Sequence, residues 1–173
     1  MIFQEVPHLY KIIPLKIIRK TPGIHFDAVS EKIKVDGIDR VVHASGGISP
    51  PPTAGVARPW YFHPDQDDNL LVLKGTRFVD IYSIPHGKIE SFEITPDFVK
   101  KDGKILFDGP AMLVWPRNVF HRIKSGDDGS ISVNFATRYE NFDIKTNFSI
   151  YDLDPETGKY KVIRPGHLDQ PDD

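Results

Sequence analysis

The stretch Gly55-Val-Ala-Arg-Pro-Trp-Tyr-Phe-His63-Pro-Asp-Gln-Asp-Asp68-Asn-Leu-Leu-Val-Leu-Lys-Gly75 decides the reading of this chain. Trp60 to His63 alternates across a strand, so Tyr61 and His63 share a face. Pro64 to Asp67 reads as a turn, and Asp68 opens the next strand with Leu70 and Val72 on its face. A hairpin here would bring His63 and Asp68 together. The stretch from Gly109 to His121 has a similar layout: Pro116-Arg117-Asn118 turns the chain, and Val119, His121 and Ile123 then share a face.

The same pattern extends outward. Arg40–Ala44, Leu70–Leu73, Arg77–Tyr82, Ile89–Ile94, Ala111–Trp115, Val119–Ile123, Ser130–Phe135, Asn147–Leu153 and Tyr160–Ile163 are short runs rich in β-branched and aromatic residues. Gly75-Thr76, His86-Gly87, Asp102-Gly103, Asp108-Gly109-Pro110 and Asp127-Asp128-Gly129 separate them. Prolines fall at run boundaries, which suits a sandwich or barrel. One short helix is expected at Thr95–Lys101, from a capping Thr, Pro at the first helical position and basic residues at its end. Residues 1–39 read as an N-terminal arm with strands, 40–164 as the barrel and 165–173 as a loose tail. The loop through Gly46-Gly47 and Pro50-Pro51-Pro52 is either a lid or a polyproline-like connector.

Composition narrows the chemistry. A chain of 173 residues suggests one domain with a sizeable core. Without Cys there is no disulfide, thiolate metal site or thiol nucleophile, so His, carboxylate, Tyr, Ser/Thr, Lys and Arg must carry any reaction. A net charge of −2 gives no basic stripe for nucleic acid. No apolar run approaches membrane-spanning length, and no signal-peptide pattern opens the chain, so a cytoplasmic location is expected.

The two stretches resemble the motifs of the cupin superfamily. Gly55, Tyr61, His63, Asp68 and Gly75 fall on the frame Gly, five residues, His-x-His, four residues, Glu, six residues, Gly. Gly109, Pro116, Asn118, His121 and Ser125 fall on the second frame, with Asn118 in a Gly place and Ser125 in an Asn place. The resemblance implies an all-β, double-stranded β-helix or jelly-roll barrel of the RmlC-like type, often a homodimer, with its ligand site inside the barrel. It also implies a set of divalent-metal ligands, here His63, Asp68 and His121, with Tyr61 replacing the first His. Two His and a carboxylate suffice for Fe, Mn, Ni or Zn, although Asp reaches one methylene less far than Glu.

The leading expectation is a small-molecule enzyme or binder, with metal-dependent dioxygenase, isomerase or decarboxylase chemistry and His63, Tyr61 and His121 as its catalytic residues. A fainter resemblance, carried by Arg58-Pro59-Trp60-Tyr61-Phe62-His63 and the runs to Tyr82, is to the nucleotide-sugar epimerase and isomerase branch of the same fold. It implies metal-free chemistry, with His63 as base, Tyr61 as acid and Arg58 against a phosphate or carboxylate. The third alternative is a non-catalytic, sensory cupin. Asn134 and Arg138 are further substrate-binding candidates on a strand whose inward face periodicity does not fix. Alternatively, the histidines are hydrogen-bonded core residues, Asp68 caps its turn, and Asp65, Gln66 and Asp67 are solvated.

Overall fold

The computed structural model describes residues 1–171. Its strands are β1 (Gln4–Val6), β2 (Tyr10–Thr21), β3 (Ile24–Val29), β4 (Gly37–His43), β5 (Ile48–Ser49), β6 (Trp60–Phe62), β7 (Gln66–Tyr82), β8 (Glu90–Ile94), β9 (Phe98–Lys101), β10 (Lys104–Asp108), β11 (Ala111–Trp115), β12 (Phe120–Arg138), β13 (Ile150–Asp154) and β14 (Lys159–Arg164). One helical turn, α1 (Ile144–Asn147), precedes β13, and a 3₁₀ turn at Gly166–Asp169 follows β14.

Two long strands organise the molecule. Residues 66–75 of β7 pair with 130–138 of β12, and residues 77–82 pair with 120–125. The first halves of this ladder lie with β4 on one side and β11, β2 and β1 on the other. The second halves lie with β6, β13 and β14 on one side and β8, β9 and β10 on the other. The breakers Gly75-Thr76 and Asp127-Asp128-Gly129 therefore bend strands rather than end them. Gly75 sits at φ +72, and a Cβ there would lie 2.1 Å from the Gly129 carbonyl oxygen. Only glycine permits both that conformation and that approach.

The barrel floor is apolar. Leu9, Ile12, Val79, Ile81, Ile94, Val99 and Leu113 are fully buried there, and Leu70, Val72 and Trp115 pack with them. Trp60, Tyr82, Phe120 and Leu153 form a second cluster. The start of β2 is thus barrel wall rather than a free arm: its residues 11–14 pair with β11.

Three expectations need correction. Thr95–Lys101 is a turn and a strand, not a helix. Thr95 Oγ1 accepts from the N–H groups of Asp97 and Phe98, as a cap would, but the Thr95 N–H donates to the Phe98 carbonyl and closes a turn. Val99 is then drawn into the core, and a single-turn helix could not repay its nucleation against that ladder. The tail is also not loose through Gln170. Gly166 is buried, its N–H donates to Ser149 Oγ, and Arg164 pairs with Asp169; Asp172 and Asp173 lie outside the described residues. Finally, β6 pairs with β12 and β13, not with β7. The Pro64–Asp65 connection crosses between the two faces, and that crossing brings His63 beside Asp68.

Among the described residues no helix is long and apolar enough to cross a membrane.

Candidate functional site

A cavity of about 160 Å³ opens inside the barrel above the apolar floor. Tyr61, His63, Asp68, His121 and Asn134 line it, as do Asp39, His43, Gln66, Arg77 and Trp115. The structure thus brings together five residues singled out from sequence. Arg58 and Arg138 are not part of the lining. The Arg58 carbonyl accepts from Arg122 Nη1, whose guanidinium stacks on Trp60. Arg138 covers the Phe142 ring and pairs with Asp39.

His63, Asp68 and His121 converge. All three are buried, and one ligand atom from each lies within 4.8 Å of the others. His63 Nε2 is 3.5 Å and His121 Nε2 3.9 Å from Asp68 Oδ2. The shorter Asp side chain therefore reaches both rings. Asp68 does not cap its turn, and its neighbour Asp67 ties that turn to the β11–β12 loop, accepting from the Arg117 N–H at 2.7 Å. Asp68 Oδ1 instead accepts from Gln66 Nε2 and Asn134 Nδ2, at 2.8 and 2.6 Å. Gln66 is buried rather than solvated.

The orientation of the rings matters more than their proximity. His63 Nδ1 lies 2.6 Å from the Asn147 carbonyl oxygen. A carbonyl only accepts, so Nδ1 carries the proton and Nε2 of the neutral ring presents a lone pair. His121 Nδ1 faces the Val119 carbonyl at 3.4 Å, which turns its Nε2 the same way. Burial pushes His121 down to about 4, helped by His63 and opposed by Asp68, so it is neutral at pH 7. Two lone pairs and a carboxylate thus face one point with no proton donor between them. Such an arrangement is stabilised by a cation placed at that point.

Tyr61 completes the group. Its ring lies 5.9 Å from that of His121 and 6.4 Å from that of His63. Burial raises its hydroxyl pKa above the ordinary range, against a smaller lowering by a hydrogen bond to Ser49. The same ring lines an outer cavity with Pro51, Pro52, Thr53 and Ala54, so Tyr61 stands between the proline loop and the barrel interior.

Several residues were missed from sequence. Asn147 and Phe148 orient and cover His63 from a helical turn capped by Asp143, a contact made across 84 positions that no local pattern reveals. Arg77 was legible: it alternates with Val79 and Ile81 on an apolar face, where an arginine is out of place.

No protein-family model matches the chain, and no curated protein matches it. Solved structures do. QdtA, a sugar 3,4-ketoisomerase from Thermoanaerobacterium thermosaccharolyticum in complex with TDP, superposes with a TM-score of 0.53 at 15% identity, covering 79% of this chain and 85% of that one. The WlaRB TDP-quinovose 3,4-ketoisomerase from Campylobacter jejuni gives 0.52 at 14% identity, covering 76% and 87%. The RmlC epimerase of Mycobacterium tuberculosis gives 0.52 at 14% identity, covering 79% and 67%. The chain shares the jelly-roll fold of these structures.

Proposed function

We propose that the protein moves a proton next to a carbonyl of a small sugar-like molecule, as an isomerase or epimerase. The observation that carries this is the orientation of His63: Nδ1 is tied to the Asn147 carbonyl, and Nε2 faces the cavity beside Asp68. His63 takes the proton from the carbon next to the carbonyl, and the C–H electron pair moves to the carbonyl oxygen as an enolate. Asp68 stabilises the resulting imidazolium. Tyr61, within the same wall, gives its proton to carbon as the enolate pair re-forms the carbonyl, and the proton held by His63 returns to the tyrosinate through solvent. His121 stays neutral and accepts from a substrate hydroxyl. The named activities of QdtA, WlaRB and RmlC support this reading over an oxygenase.

The test is solvent deuterium exchange into a panel of TDP-linked keto sugars and free keto sugars, read by mass spectrometry. Wild type is expected to incorporate deuterium, and His63→Asn to lose at least about 100-fold in rate. Tight ligand binding without exchange would point to a sensory cupin instead.

A second reading rests on a separate observation, the three convergent ligand atoms. Ligands bound at about 2.0–2.2 Å lie roughly 3.0–3.5 Å apart, so modest side-chain closure would let His63, Asp68 and His121 hold a divalent cation. Such an ion would polarise a substrate carbonyl. Elemental analysis after metal-replete expression decides this: a stoichiometric transition metal, lost in His63→Ala, is the supporting result.

We also propose that two copies pair through β3. Among the described residues it is paired only with β2, and Ile17, Ile18, Ile24 and Phe26 of this hairpin are 55–62% exposed. An open edge with apolar flanks asks for cover.

A further inference from the structure

Among the described residues Arg77 is the one Lys or Arg lining the cavity, and it is only 1% exposed. Burying a guanidinium is costly unless an anion accompanies it. No described residue supplies one. One Nη donates to the Val41 carbonyl at a long 3.3 Å, and Nε has no hydrogen-bond partner among the described residues. Burial alone depresses its pKa to about 10, with no carboxylate acting in the opposite sense.

The surroundings suit an anion. His43, beside Arg77, is held neutral at about 4, first by burial and then by the Arg77 charge. Its Nδ1 meets Ser125 Oγ at 3.0 Å, and Ser125 Oγ meets Ser130 Oγ at 2.6 Å. Ser132 Oγ, buried on the same strand, has no hydrogen-bond partner among the described residues. The two cavity carboxylates are occupied elsewhere. Asp39 accepts from Asn134 and pairs with Arg138, and Asp68 accepts from Gln66 and Asn134. Arg77 lies beyond the Gly75 bend, on the half of β7 that does not carry Asp68.

We propose that the Arg77 end of the cavity is an oxyanion subsite that takes the carboxylate of a small organic acid. One guanidinium with a free N–H edge matches a planar monoanion. A phosphate dianion would ask for a second cation or a cluster of backbone N–H groups, and the lining offers no second Lys or Arg. A ligand seated this way presents its far end to His63, Asp68 and His121. The substrate class implied is a sugar acid or an oxo acid. This names the ligand of the cavity whose chemistry is proposed above, yet it stands without the assignment of His63 as base.

The experiment is isothermal titration of the full chain with glucuronate, pyruvate, succinate and inorganic phosphate at matched ionic strength. At least one carboxylate is expected to bind saturably with one site per chain. Arg77→Met should weaken it at least about tenfold, Arg77→Lys less, and His63→Asn hardly at all. Arg77→Met, without ligand, should melt no lower than wild type, because it removes an uncompensated buried charge while keeping most of the volume. The assignment is overturned if no carboxylate binds wild type, if phosphate alone binds, or if Arg77→Met binds equally well. A fall in the melting temperature of unliganded Arg77→Met, with carboxylate binding intact in Arg77→Lys and Arg77→Met, assigns Arg77 a purely structural role. Loss of deuterium exchange in His63→Asn with carboxylate binding retained separates this subsite from the proton-transfer step.

Discussion

At the residue scale, the site depends on one amide. Asn134 donates from Nδ2 to Asp68 and Asp39, and its Oδ1 accepts the N–H of Asn69. Asn134→Ala leaves these buried groups short of partners, each at about 1–3 kcal/mol. A lowered urea midpoint with an unchanged m-value is the expected result. His43 makes a pH prediction. Its folded pKa of about 4 lies below its ordinary value of 6.5, so between these limits the unfolded chain binds a proton that the folded chain does not. Stability is therefore full above about pH 7 and falls as pH drops from 6.5 toward 4. Melting curves across pH 4–8 should show that slope, and His43→Gln should flatten part of it. The frame of His63, Asp68 and His121 was legible in sequence because two fixed spacings carry it. Their true relation was not, because β6 pairs across the barrel with β12 rather than locally with β7. Arg58 and Arg138 shared the chemistry of a substrate-binding arginine but not its place: Arg58 offers its carbonyl to Arg122, and Arg138 stacks on Phe142, both contacts made at long sequence separation or outside a clear alternation.

At the element scale, strands were readable wherever apolar alternation was strong, while their ends were not. Gly75 and Gly129 look like terminators, yet each supplies positive φ at a bend inside a continuous ladder. Gly75→Ala should cost about 1–3 kcal/mol in backbone strain, and more from the clash with Gly129, measured by chemical denaturation. The Thr95–Lys101 segment carries a true cap signal that tertiary pairing redirects into β9. That pairing is reinforced from Glu90 at the start of β8. Burial alone would raise Glu90, but hydrogen bonds from Lys101, Lys88 and His86 overcome it and hold its pKa at about 2. Its contribution is present above about pH 4.5 and is lost as pH falls toward 2. Glu90→Gln should lower stability at pH 7 by about 1–3 kcal/mol and remove that acid limb.

At the scale of the whole molecule, the exposed β2–β3 hairpin predicts a dimer in solution. Light scattering coupled to size exclusion should give twice the chain mass of 19.6 kDa. Ile18→Asp with Phe26→Asp should give a folded monomer, with unchanged circular dichroism; a monomeric wild type would remove the proposal.

The two bent strands also set how a ligand can enter. Because β7 and β12 each run through both faces, neither face can swing open without breaking the other. The barrel is a single cooperative unit, and local opening of the wall costs nearly as much as unfolding. Traffic must then pass the rim, where Pro51–Ala54 and the α1 turn lie outside those ladders and Tyr61 lines both cavities. Amide hydrogen exchange should locate this directly. A bound ligand would slow exchange at residues 51–56 and 143–148 far more than in the wall strands, whose protection already approaches the global limit.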